Sequence, residues 1–314
     1  MRYPFRARLD EFLRVYEHSG RWNAETLDDR ARTLRRIGGI VEALHREGRL
    51  STCDPVYMTS EDVRDFYIER SGTVSPISCT RELSVLGSLC DFYGNDCVRV
   101  AKTRYPFLVP KIHRRRLSGI DAGSMARIVT ASSDADDFFT LRAFASVLLA
   151  MCGGLRWSEI RNCRVDDYDP GDGTLYLGVV KGGDTYGEPR TVLIRPEARP
   201  VLARYLEVRR RFLSDRGVRS PYWIPASTDG GVLPAAYSYN LLCVVCDAVG
   251  LDFDFRALRR TYIQAALDDG IDLEAVSVLA GHATTKTTER YYGRRREGDA
   301  IEAARSAWDA GVPR

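Results

Sequence analysis

The chain has 314 residues, enough for two hydrophobic cores at the usual domain size of about 100–150 residues. Its 46 Lys+Arg nearly balance 43 Asp+Glu, leaving a formal net charge of +3, too small to identify a partner by itself. The longest mostly apolar stretch, Phe144–Cys152, is far short of the ~20 residues that span a bilayer, so no membrane partner is expected.

The basic excess sits in the front part of the chain. It is densest from Val98 to Ser118, where Arg99, Lys102, Arg104, Lys111, Arg114, Arg115 and Arg116 meet no acid. Such a run suits either a phosphate backbone or a solvated linker. The opening Met1-Arg2-Tyr3-Pro4-Phe5-Arg6 has no apolar core of a secretory signal, and with eight cysteines the expectation is a reduced, cytoplasmic protein.

In chain order, Phe5–Tyr16 reads as a helix. From Thr26, residues Leu27, Ala31, Leu34, Ile37, Val41 and Leu44 recur at three and four and predict an amphipathic helix ending near Gly48. Ser60–Glu69 and about Cys79–Tyr93 also read as helices, with Gly94-Asn95 as a stop. Residues 1–104 are therefore expected to form a small helical domain. Tyr105-Pro106 through Arg116 breaks the periodicity and marks a basic linker over 105–118. A second domain over 119–298 is expected to be mainly helical, with strands near Thr174–Val180 and Arg190–Ile194 joined by a turn at Gly182-Gly183-Asp184. The final segment, 299–314, places Ile301, Ala304 and Trp308 on one helical stripe. Such a stripe needs cover, from its own domain or a neighbouring protomer.

Cys243 and Cys246 form a C-x-x-C with no second pair at zinc-finger spacing; flanked by Leu241, Leu242, Val244 and Val245, they read as part of a buried helix. Only Lys102, Lys111, Lys181 and Lys286 are lysines among the 46 basic residues. In a chain that otherwise uses arginine, Lys181 between two strands stands out, because lysine can give up its proton and arginine cannot.

The last quarter carries the densest signal. Arg256-Ala257-Leu258-Arg259-Arg260-Thr261-Tyr262 is followed by Ala280-Gly281-His282 and Thr287-Thr288-Glu289-Arg290-Tyr291-Tyr292. Upstream, Gly153-Gly154-Leu155-Arg156-Trp157-Ser158-Glu159-Ile160 puts another arginine behind a glycine turn at the start of a helix. Guanidinium forks suit a phosphate, and a phenol suits nucleophilic attack with a covalent intermediate. Glu159 stands at i+3 from Arg156, placed to buttress it.

These boxes resemble those of the tyrosine recombinase (integrase) family: Gly-Leu-Arg-x-x-Glu-Leu, a hairpin lysine, His-x-x-Arg, Leu-Gly-His, and a tyrosine nine residues later. The resemblance covers roughly residues 119–292. It implies Arg156 and Arg259 as clamp arginines, Glu159 as the supporting carboxylate, Lys181 as general acid, His282 as the histidine of the later box and Tyr291 as nucleophile. Arg256 stands where the family most often has His, although some members carry Arg or Lys there. The family's fold is mainly α, with a helical, SAM-like core-binding domain before a mixed α/β catalytic domain holding a small antiparallel sheet.

The resemblance further implies a site-specific recombinase acting on double-stranded DNA through a 3′-phosphotyrosyl link, as a homo-oligomer (tetramer), without cofactor or metal. The overall layout resembles that of Xer or of archaeal and mobile-element integrases. Arg114, Arg115 and Arg116 are the candidate DNA contacts of the linker. Two other readings share the scaffold: a non-cleaving DNA-binding regulator and a type IB topoisomerase-like relaxing enzyme. The regulator is expected to have lost the nucleophile or a clamp arginine, and this chain retains both. The terminal stripe favours a recombinase over the monomeric relaxing enzyme.

Overall fold

The structure, a computed structural model, describes residues 4–110, 119–180 and 188–282, together with 284, 285, 288, 289, 301, 304–306 and 308. The chain divides into two compact units, Met1–Arg115 and Arg116–Arg314. Among the described residues no helix is long and apolar enough to cross a membrane.

The first unit is helical, with α1 (Pro4–Ser19), α2 (Ala24–Arg46), α3 (Ser60–Ser71), α4 (Pro76–Phe92) and α5 (Cys97–Arg104). Helix α1 buries Phe5, Leu9 and Phe12, and α2 buries Ala31, Leu34, Ile37, Val41 and Leu44, periodic positions that the sequence points to. Their starts are local: Asn23 accepts the Thr26 N–H at 2.8 Å, and Thr59 and Asp62 cap α3 reciprocally. Helix α4 begins at Pro76 behind the Ser75 cap, earlier than expected, because proline at the first helical position has no N–H to satisfy. Helix α5 falls inside the basic run. Its Cys97, Val98 and Ala101 are buried while Arg99 and Arg104 are exposed. Of the expected linker, Pro106–Leu108 forms a 3-10 turn and Leu108 is buried in the first core. Residues 111–118, which include Arg114, Arg115 and Arg116, lie outside the described residues.

The second unit is built around α7 (Phe138–Gly153), which is preceded by α6 (Ala122–Asp134) and followed by the short α8 (Trp157–Asn162). Helix α7 is apolar around nearly its whole circumference and almost every residue on it is buried, as required of a helix covered on all sides. Helices α9 (Arg199–Asp215), α10 (Ser238–Val249) and α11 (Phe255–Asp268) pack on it, and α12 (Leu273–Ala280) packs on α11.

Strands β1 (Tyr168–Asp169), β2 (Thr174–Leu177) and β3 (Arg190–Leu193) form an antiparallel sheet in the order β1-β2-β3. The β2–β3 register pairs Leu175 with Val192 and Leu177 with Arg190. Mainly α with one small antiparallel sheet is thus the observed fold class. Strand β1 is an addition: two residues give no readable alternation, and the ladder to β2 alone makes them a strand. The described ends of the β2–β3 connection are shorter strands than expected, and Lys181 lies outside the described residues. Cys243 and Cys246 are half-buried on α10, whose core face is Leu241, Val245 and Val249 with Leu242 and Cys246 packed beside it, while Val244 is exposed; the expected buried helix is amphipathic.

Candidate active site

The site begins at the end of α7. Gly154 ends that helix in the left-handed region, with φ 69°, where a β-carbon is disfavoured. The chain then runs extended through Arg156, and α8 starts at Trp157. Glu159, in the first turn of α8, reaches back so that Oε2 accepts the Arg156 backbone N–H at 2.8 Å. Its Oε1 accepts from Arg156 Nη1 at 2.8 Å. Trp157 braces the start of α8, donating from Nε1 to the Ala235 carbonyl at 2.9 Å and stacking on Phe255 at 4.7 Å.

A ring of Tyr262 fills the space beside Gly154, so that any β-carbon there would overlap it. Gly154→Ala is therefore expected to cost about 2–4 kcal/mol, combining left-handed strain with overpacking. Urea unfolding followed by circular dichroism measures it; a loss below about 0.5 kcal/mol would contradict the packing described.

Three more elements converge on Glu159. From α11, Arg259 Nη1 donates to the Gly154 carbonyl and Nη2 to the Ala280 carbonyl, with Nη1 3.9 Å from Glu159 Oε2. The cation thus sits against the carbonyl ends of α7 and α12, where helix dipoles favour positive charge. Helix α12 ends on Gly281 in the left-handed region (φ 61°). The Gly281 carbonyl accepts from Arg156 Nη2 at 2.5 Å. His282 follows, its N–H closing the turn on the Ser277 carbonyl at 3.0 Å and its Nδ1 2.7 Å from Thr288 Oγ1.

The third element is β3. Arg190 donates from Nη1 to Glu159 Oε1 at 2.9 Å and from Nη2 to Oε2 at 3.0 Å, and its Nε donates to the Leu279 carbonyl at 3.0 Å. The sequence motifs do not include this residue. The signal available was the alternation along β3, where Arg190 and Val192 are buried and Thr191 and Leu193 are exposed, which turns an arginine toward the interior.

Glu159 is fully buried. Burial pushes its pKa up, but the hydrogen bonds and charge of Arg190, with help from Arg156, outweigh that and hold the carboxyl below its ordinary range. Burial pushes the His282 imidazole down to about 4, and the charges of Arg259, Arg156 and Arg190 act in the same direction against Glu159. At neutral pH the imidazole is uncharged, a hydrogen-bonding group and a weak base. Three guanidiniums around one carboxylate leave an excess of positive charge, a site prepared for an anion.

The structure therefore brings together Arg156, Glu159, Arg259 and His282, four of the residues singled out from sequence, and adds Arg190. Arg256 is exposed on the first turn of α11, three residues before Arg259 and next to it on the helix surface. Tyr291 lies outside the described residues, as does Lys181.

Residues 120–297 match the model of the phage integrase family. The tyrosine recombinase XerC of Pseudomonas fluorescens (strain Pf0-1) is 24% identical over 297 residues, covering 91% of this chain and 83% of the relative. The tyrosine recombinase XerD of Caulobacter vibrioides is 27% identical over 223 residues, covering 69% and 71%. Among solved structures, a lambda integrase (75–356) dimer bound to a COC′ core site aligns with a TM-score of 0.63 at 16% identity, covering 90% of this chain and 96% of that one. The Tn1549 transposon integrase in complex with transposon right end DNA aligns with a TM-score of 0.62 at 14% identity, covering 94% and 99%. The structural matches support the mainly helical fold. With more than half of the chain matched by the family model, and with Arg156, Arg259 and His282 of its boxes gathered at the buried Glu159, the chain belongs to the phage integrase family of tyrosine recombinases.

Proposed function

We propose that this chain is a site-specific DNA recombinase that cuts and rejoins strands through a 3′-phosphotyrosyl intermediate. The observation that carries this reading is the cluster of Arg156, Arg190 and Arg259 around the buried Glu159. It supplies net positive charge where a scissile phosphate would gain negative charge in its transition state. The XerC and XerD relatives, named tyrosine recombinases, and the DNA-bound integrases of like fold add support.

In this mechanism Tyr291 Oη attacks the scissile phosphorus, and the P–O5′ bond breaks. The phenol proton leaves to solvent, and Lys181 gives its own proton to the departing O5′. Arg156 and Arg259 hold the non-bridging oxygens, Arg256 extends the cationic rim from the first turn of α11, and neutral His282 hydrogen-bonds the phosphate. A 5′-hydroxyl from a partner strand then attacks the phosphorus and gives its proton back to Lys181, the P–Oη bond to Tyr291 breaks and the phenolate takes a proton from solvent, so bond energy is conserved without ATP. The arginines provide charge stabilisation in place of a divalent ion.

The test is covalent capture. A library of nicked duplexes from the DNA flanking the chain's coding sequence is incubated with the full chain in EDTA, and protein–DNA bands that resist denaturant are recovered. Capture with a free 5′-hydroxyl product is expected. Binding without capture would favour a non-cleaving regulator, and relaxation of supercoiled DNA by a monomer would favour the topoisomerase-like alternative.

Partner contacts extend the proposal. Arg114, Arg115 and Arg116 contact DNA phosphates, and the terminal segment with Ile301, Ala304 and Trp308 docks on a neighbouring protomer of a tetramer on DNA. Alanine at all three arginines is expected to lower the slope of log affinity against log salt by about 0.9 per lost contact, equally on specific and random DNA. Fluorescence anisotropy across a salt series reads it, and an unchanged slope would make this run a solvated linker.

A further inference from the structure

We propose that Arg190 is a positioning residue of the active site: it neutralises and orients Glu159, so that the charges of Arg156 and Arg259 remain available to the phosphate. The inference rests on the strand-cutting reading above and goes beyond the residues of the family's boxes.

The argument starts from the carboxylate. An ionised carboxyl has about four acceptor positions on its two oxygens. Four donors meet those of Glu159: the Arg156 N–H and Nη1, and Arg190 Nη1 and Nη2. Arg190 contributes half of them, in the parallel two-bond geometry that fixes a carboxylate's plane as well as its place. Arg156 gives the carboxylate one guanidinium nitrogen and turns the other to the Gly281 carbonyl. Its side chain remains 27% exposed, whereas that of Arg190 is 8% exposed. Of the two guanidiniums hydrogen-bonded to Glu159, one therefore faces outward and one is sealed in. The sealed one offsets the carboxylate's charge, and the outward one keeps its own.

The same side chain holds a second part of the site. Its Nε donates to the Leu279 carbonyl, three residues before His282. Gly281 makes this approach possible, since a β-carbon there would lie 2.6 Å from the Arg190 guanidinium carbon. Arg190 also opens β3, directly after the β2–β3 connection that contains Lys181. One guanidinium therefore ties the base of the lysine-bearing connection to the buried carboxylate and to the turn that presents the histidine.

Lysine at this position retains the charge but makes no two-bond fork. In Arg190→Lys, single-turnover cleavage of a captured nicked duplex is expected to slow about 10–100-fold, by analogy with the loss when the partners that orient a metal's ligands are changed. DNA affinity and melting temperature are expected to stay close to those of the unsubstituted chain. The decisive measurement uses a charge readout. In a Tyr291→Phe background, affinity is compared for duplexes bearing a phosphodiester or an uncharged methylphosphonate at the scissile position. Arg190→Lys is expected to shrink that discrimination, because the clamp arginines would partly turn inward to Glu159. Arg190→Gln, which removes the charge, should shrink it further.

Unchanged discrimination in both folded variants overturns the proposal. So does unfolding of both at 25 °C, which would make Arg190 a residue of the fold. If the unsubstituted chain forms no covalent complex on any duplex, the strand-cutting reading itself fails. If it does and Arg190→Lys matches it, only the role of Arg190 is lost.

Discussion

Replacing Tyr291 by phenylalanine is expected to abolish covalent capture of DNA, lowering it on the order of 10⁴-fold or more, as loss of a catalytic nucleophile does. Binding should stay within about twofold, since a single oxygen is removed and most affinity comes from phosphate contacts elsewhere. Tyr292 provides the internal control. It has the same phenol one residue along, but the spacing from His282 that matches the family belongs to Tyr291. Tyr292→Phe is therefore expected to retain most of the capture. The measurement is denaturing electrophoresis of each variant after incubation with a captured nicked duplex. Loss in Tyr292→Phe with retention in Tyr291→Phe would move the nucleophile by one position.

The second large effect is expected at Lys181. Lys181→Arg retains the positive charge but replaces a group that can donate a proton with one that effectively cannot. Cleavage is expected to slow by about 10²–10⁴-fold, the usual contribution of a general acid. Substituting sulfur for the leaving O5′ discriminates acid catalysis from charge. A thiolate departs with little protonation, since a thiol has a pKa near 8.5, far below that of an alcohol. The sulfur substrate should bring the variant to within about tenfold of the unsubstituted chain. A defect of equal size on both substrates would make Lys181 a phosphate-binding residue and put the acid elsewhere.

Much of the site is legible in the chain because its parts are local. Arg156 and Glu159 are three apart across a helix start, so the carboxylate reaches the arginine's backbone N–H and its guanidinium without help from any distant segment. Gly154 and Gly281 both precede site residues and both end helices in the left-handed region, a use of glycine that follows from its missing β-carbon. The long helices α1 and α2 show their buried stripes through periodicity alone. Helix α5 did not, because eight residues hold too few turns for a pattern, and its burial is decided by packing on α3 and α4.

The sequence by itself determined the family boxes, the helical character of both units, and the pairing of Arg156 with Glu159, because each depends on residues within a few turns of one another. Only the tertiary structure decided which arginines share that carboxylate. Arg190 lies 31 positions from Glu159, and its selection depends on the register of β3, the depth of the sheet and the open face of Gly281. Arg256 and Arg259 are likewise one helical turn apart, yet one is exposed and the other buried. The difference arises because Arg259 meets the carbonyl ends of α7 and α12. A guanidinium's burial is set by the acceptors waiting for it, and those arrive only when distant segments pack together.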